Sequence, residues 1–358
     1  MEAVGTDLRL HRRIVWATTL LVLIGAVALY SATTDTRFDA VFFKQAPLYL
    51  AGILVFVGAR KLSPTRLFAL SRPLFWVALG LMVILALPLS GKEVNRSINL
   101  IFFQLQAWEV YKLALVLYVG RLMWGIHRGQ IKPQAGGTHL FVVTAIGIFL
   151  LAVQPDLDAI GFLVVATALL VLYSGAFPLR MAFGLMSVMA AASIVLLIGG
   201  FYMVRPSKGE QAFHHDTQTK QHIEYAVVRG GVVGVGWADS RERYVIPAVQ
   251  TDMIAGHITE SVGVVGFVLL AALYLVFIFA GIEVASRHPG YWQRLAALGI
   301  VLIFANQVLV NLLIAFQVSP VVAGIPLPFM SGGGSAVMMN LTEAGILARL
   351  GLEVDRAG

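Results

Sequence analysis

Val262-Gly-Val-Val-Gly-Phe-Val-Leu-Leu-Ala-Ala-Leu-Tyr-Leu-Val-Phe-Ile-Phe-Ala-Gly-Ile-Glu-Val284 is a continuous apolar run carrying a single charge, Glu283, near its end. A helix needs about 20 predominantly apolar residues to cross a hydrocarbon core roughly 30 Å thick, so this run reads as a membrane span. Working outward, further runs at 14–31, 42–57, 73–89, 110–124, 140–153, 160–176, 181–202, 295–316 and 336–350 read the same way, the shorter ones borrowing flanking residues. The runs are continuous and do not alternate, which favours helices over barrel strands. The expected fold is an all-α integral membrane protein: a bundle of about ten transmembrane helices forming one polytopic domain over residues 1–358. A long external loop, residues 203–251, falls between spans seven and eight.

Composition agrees independently. With 58% hydrophobic and 13% charged residues and a mean hydropathy of +0.83, a water-soluble domain would have nowhere to place its apolar surface. The absence of cysteine excludes disulfides and thiolate metal sites. The first run is too long, and too poorly terminated by a small-residue cleavage site, to be a removed signal peptide.

Orientation follows from where Lys and Arg fall, because basic residues in short loops stay cytoplasmic. Arg9, Arg12 and Arg13 precede the first span, and Arg60, Lys61, Arg66, Arg72, Arg121, Arg128, Lys132, Arg180, Arg287 and Arg294 cluster in the connections after even-numbered spans. Arg349 and Arg356 make the tail basic, whereas the connections after odd-numbered spans are poor in such residues. Both termini are therefore expected in the cytoplasm, with 203–251 outside. The net charge of +7 is mostly this asymmetry, with attraction to anionic membrane lipids as a by-product. The basic residues form no stripe, so no nucleic-acid partner is expected.

Polar residues that interrupt the apolar pattern mark candidate chemistry. Glu109 and Lys112 stand three apart and share a helix face, with Gln106 one turn earlier; the pair either ties two helices together or sets a cation near an anionic substrate. Gln154-Pro155-Asp156-Leu157-Asp158 makes an acidic elbow in which Asp156 either caps the next helix or serves a site. His214-His215-Asp216, read as part of a flexible loop, lacks the further ligands a metal centre requires. The glycines between Gly230 and Gly236 permit tight turns and close backbone approach. Thr251-Asp252 then places a carboxylate at the outer mouth of the bundle. Finally, Gly324-Ile-Pro-Leu-Pro-Phe-Met-Ser331-Gly-Gly-Gly-Ser335 cannot be ordinary helix, and irregular backbone at a membrane boundary is tolerated where it lines a cavity.

Taken together these motifs resemble the SEDS family (shape, elongation, division and sporulation), whose members polymerise peptidoglycan at the bacterial inner membrane. The resemblance spans nearly the whole chain and also draws on Leu29-Tyr30-Ser31-Ala32 and on Gln307 with Asn311. It departs from the family pattern at Ala107, Trp108, Asp158, Ala159, Gln250, Ser261 and Gly332. It implies a peptidoglycan glycosyltransferase that joins lipid II units by an inverting displacement during elongation or division. Asp252 would be the catalytic base; Lys112, Glu109, Gln106, Asp156, Ser331, Gly333 and Ser335 would line the substrate site. A divalent cation, Mg2+ or Mn2+, is expected without assigned ligands, and a class B penicillin-binding protein as transpeptidase partner. The alternatives are a lipid II flippase or transporter, expected to show inverted repeats that this sequence lacks, and a non-catalytic scaffold of the cell-wall machinery.

Overall fold

The structure, a computed structural model, describes residues 8–33, 39–87, 97–99, 104–154, 156–204, 209–246, 249–251, 253–315 and 325–357. Along the described residues run α1 (Arg9–Thr33), α2 (Asp39–Ala59), α3 (Pro64–Ala86), β1 (Ser97–Asn99), β2 (Gln104–Gln106), α4 (Ala107–His127), α5 (Pro133–Val153), α6 (Leu157–Ser174), α7 (Leu179–Val204), α8 (Gly209–Gly230), α9 (Ile254–Arg287), α10 (Tyr291–Ala315) and α11 (Gly334–Ala357). A helix lies at each apolar run. Among the described residues five helices, α1, α3, α5, α9 and α10, are long and apolar enough to cross a membrane. Large apolar side chains stand exposed along these helices, among them Trp16, Val77, Phe149 and Phe279. Exposure of that kind on successive turns suits a lipid surround and would be costly in water. The chain is a multi-pass membrane protein.

Local chemistry sets the helix ends. Ser63 accepts the Arg66 amide at 3.4 Å and Pro64 opens α3, the pairing of a polar cap with a proline whose missing N–H would be unsatisfied there anyway. Asp156 accepts the Ala159 amide at the start of α6, and Gly175, at φ 60°, ends it. The expectation of helices alone misses one element: β1 and β2 pair antiparallel with Ser97 opposite Gln106, and α4 starts directly at Ala107.

The insertion also differs from the expected loop. Residues 209–230 form α8, so the backbone of His214-His215-Asp216 is helical and not a flexible loop. The segment contains no proline and carries Glu, Gln and Ala repeatedly, residues that lose little on entering a helix. Its Ile223 and Ala226, three apart, bury themselves against Ile246, Val249 and Met253, with Val310 and Ile325 alongside.

The chain divides into two compact units, each discontinuous in sequence. One comprises Met1–Arg60, Ser207–Ala280 and Phe304–Ala348; the other comprises Lys61–Pro206, Gly281–Ile303 and Arg349–Gly358. The core of the first is aromatic: Phe304 stacks on Phe329 at 5.3 Å and meets the Phe277 edge at 4.7 Å. In the second, α3 packs along α4, with Phe75 stacked on Tyr118 at 4.2 Å. Each such ring pair adds about 0.5–1.5 kcal/mol beyond area burial.

Candidate active site

In the second unit, Glu109 lies in the first turn of α4, and Lys112 Nζ meets its Oε2 at 2.7 Å. Both side chains are almost fully buried, at 2% and 3% exposure. The expected same-face pairing forms, and neither group has another hydrogen-bond partner among the described residues. Trp108 packs edge-on to Phe162 at 5.8 Å and beside Tyr111, so the departure at that position fills an aromatic wall next to the pair. Gln106 caps α4 from the end of β2 without a side-chain cap bond and is exposed. Asp156 takes the capping role that sequence left open, while Gln154 is buried and donates to the Met82 carbonyl at 3.0 Å.

In the first unit, α9 is not one helix. Gly263 adopts φ 67°, ψ −175° inside it, a combination essentially restricted to glycine. The break frees carbonyls and amides that a regular helix would pair internally, and the glycine run takes them up. Val235 and Gly236 donate to the carbonyls of Glu260 and Ser261, at 3.1 and 2.9 Å, and Val264 and Val265 donate to those of Gly231 and Val232, at 3.0 and 3.1 Å. Gly234, at φ 85°, lies so close that a Cβ would come within 2.3 Å of the Ser261 carbonyl. Glycine is needed here for contact as much as for conformation.

Just before this break sits a buried polar network. Glu260, fully buried, accepts from the Arg241 amide at 3.0 Å, pairs with Arg229 at 3.1 Å and receives the Ser240 hydroxyl. His257 bridges Ser240, 2.9 Å from Nδ1, and Ser31, 3.1 Å from Nε2. Arg243 donates to the Ser31 carbonyl at 2.6 Å. Sequence reasoning drew on Ser31 and marked Ser261, the residue after Glu260, but missed His257, Ser240, Arg229 and Arg243. A signal was present at two positions of α9: His257 and Glu260 stand three apart where the apolar run gives way to polar residues.

The segment 325–335 fits against the same unit. Phe329, a non-glycine residue at φ 64°, is held from two sides: Tyr49 donates to its carbonyl at 3.1 Å, and Tyr274 donates to the Pro328 carbonyl at 2.5 Å. Asn311 of α10 donates to the Ile325 carbonyl at 3.0 Å. These side chains satisfy backbone groups that no regular element pairs, which is what irregular chain at membrane depth requires. Ser331, buried, accepts the Gly333 amide at 3.2 Å, and α11 begins at Gly334 with Ser335 buried in its first turn.

Two departures from the family pattern meet here. The Gly332 amide donates to the Gln250 carbonyl at 2.6 Å, and a Cβ on Gly332 would fall 2.7 Å from that oxygen. The glycine loop is thereby tied to the chain two residues ahead of Asp252. Asp252, Pro155, Pro247 and Gly324 lie outside the described residues. The structure thus joins Glu109 with Lys112, and Ser331 with Gly333, and ties their glycine loop to Gln250.

Residues 12–355 match the family model of cell cycle proteins of the FtsW, RodA and SpoVE type. The probable peptidoglycan glycosyltransferase FtsW of Trichlorobacter lovleyi is 29% identical over 355 residues, covering 92% of this chain and 90% of its own. The peptidoglycan glycosyltransferase MrdB of Escherichia coli K12 is 27% identical over 350 residues, with 92% and 91% covered. A chain solved in a peptidoglycan synthase complex superposes with a TM-score of 0.74 at 23% identity, covering 96% of this chain and 97% of that one.

Proposed function

The chain belongs to the SEDS family of FtsW, RodA and SpoVE cell cycle proteins, and from that premise we propose that it is a peptidoglycan glycosyltransferase acting on lipid II at the bacterial inner membrane. The observation that carries the reading is the extent of the match, residues 12–355, which includes every motif with candidate chemistry. In this reading about ten helices cross the bilayer, both termini are cytoplasmic and the segment 203–251 faces outward.

The reaction displaces a lipid diphosphate from the anomeric carbon of one sugar by the 4-hydroxyl of another. The new bond is carbon to hydroxyl oxygen, the bond broken is carbon to diphosphate oxygen, and the configuration inverts from α to β. One base must take the hydroxyl proton, and the departing diphosphate must be stabilised. Asp252 takes the proton. Lys112, paired with Glu109, offsets diphosphate charge. The amides opening α11 after Ser331-Gly-Gly-Gly present donors to anionic oxygens, and Gln106 and Asp156 complete the substrate site. A divalent cation, Mg2+ or Mn2+, bound with the diphosphate would offset its charge; among the described residues no group of three His, Asp or Glu converges to hold one. A class B penicillin-binding protein would supply crosslinking.

The test is polymerisation of labelled lipid II by purified protein, with Asp252→Asn beside the unmodified chain. Loss of a general base lowers the rate by about 10² to 10⁴, with lipid II binding retained. Normal glycan strands from a folded Asp252→Asn protein would remove the base assignment. Flipping of lipid II without polymerisation by the unmodified chain would replace the enzyme by a transporter.

A further inference from the structure

Within the second unit, the first half of α3, the end of α4, the turn after it and the start of α5 line a half-open cavity of about 360 Å³. Its charged lining is of one sign. Arg72 and Arg121 both line it, together with Tyr118, His139, Gln130 and Trp124, and none of the described residues lining it is a carboxylate. Arg72 lies within electrostatic reach of both Tyr118 and Arg121, so the two guanidinium groups repel across a site with no acid to offset them. Arg121 is fixed in place: it donates to the Phe68 carbonyl at 2.5 Å and lies 4.2 Å above the Phe68 ring. Tyr118 and His139 are joined at 2.6 Å. Arg72 is exposed and has no hydrogen-bond or ion-pair partner among the described residues, leaving its fork of donors available.

The depth of these residues narrows the ligand. Counting 1.5 Å per residue, Arg72 lies about 12 Å into α3 and Arg121 about 9 Å from the end of α4. Tyr118 and Trp124 are the amphipathic ring types that gather where hydrocarbon meets headgroup. By the distribution of basic residues this is the cytoplasmic end of the unit, where the leaflet carries anionic lipid. The cavity volume lies in the range of small-ligand sites, and paired arginines match phosphate oxygens in fork geometry.

We propose that this cavity binds a phosphate-bearing anion, with Arg72 and Arg121 as its ligands, and that the anion relieves the repulsion between them. The chemistry is shared by an anionic phospholipid headgroup and by free phosphate or diphosphate. The function lies apart from the outward chemistry assigned to Asp252.

The experiment uses the full-length protein in phosphatidylcholine nanodiscs, followed by thermal unfolding. In one arm inorganic phosphate or pyrophosphate is titrated against chloride at matched ionic strength; in the other, phosphatidylglycerol replaces part of the lipid. A rise in melting temperature is expected in at least one arm, with the responding arm identifying the source. Arg72→Gln should weaken the apparent affinity roughly fivefold, the effect of one basic residue near the surface, and Arg72→Lys should keep most of it. Arg66→Gln, an exposed change outside the cavity lining, should leave it unaltered. Because Arg72 is exposed, its variants are expected to fold, and unchanged helicity by circular dichroism verifies this. Flat responses in both arms, an undiminished response in Arg72→Gln, or an equal loss in Arg66→Gln would overturn the proposal.

Discussion

Lys112 and Glu109 show how one contact can carry two roles. Their 2.7 Å pairing at full burial means that removing one partner strands the other, at a cost of about 3–5 kcal/mol. Lys112→Met should therefore lower both the melting temperature and lipid II polymerisation. Adding Glu109→Gln to the same chain removes the stranded carboxylate, so stability should recover while activity stays lost. Recovery of both together, measured by thermal unfolding and glycan assay on the double variant, would make the lysine purely structural. The pair was legible in the sequence because i, i+3 spacing is a local rule. The network around His257 was legible only in its local part, the spacing to Glu260: the partners Ser240 and Ser31 come from separate stretches of chain, and no periodicity links them.

At the scale of elements, α9 shows why an apolar run reads as a helix but conceals its break. Glycines are ordinary in membrane helices, so Gly263 stands out only once its φ of 67° is known. Gly263→Ala would force a Cβ into that region and within 2.4 Å of the Gly234 amide nitrogen. A loss of about 1–3 kcal/mol is expected from backbone strain alone, with faster hydrogen exchange at the Val264 and Val265 amides. Gly161→Ala in α6, where nothing lies within 4 Å of an added Cβ, is the control and should be neutral or slightly stabilising. Equal behaviour of the two variants would show the break to be unnecessary. The short ribbon of β1 and β2 and the helix α8 escaped sequence reading for another reason. A three-residue strand has too few positions for alternation to register, and a polar helix shows only a short buried stripe.

For the whole molecule, the continuous apolar runs made the helical membrane class legible, because the other arrangement that satisfies backbone groups in lipid, a closed barrel, needs alternating strands. Orientation rests on the placement of Lys and Arg and yields a direct check. The chain contains no cysteine, so Lys61→Cys and Val233→Cys can each be labelled alone. In intact cells an impermeant thiol reagent should reach position 233, which is 80% exposed, and spare position 61; the reverse pattern would invert the topology. The docking of the glycine run on the broken α9 also bears on the order of assembly. Gly231 and Val232 leave the ribosome shortly before Val264 and Val265, so this closure joins near neighbours in sequence and has a small entropic cost. It can be complete before α10 and α11 are synthesised. A nascent chain halted after α9 would then already hold the loop that leads to Asp252, and insertion of that helix would not leave bare amides facing lipid.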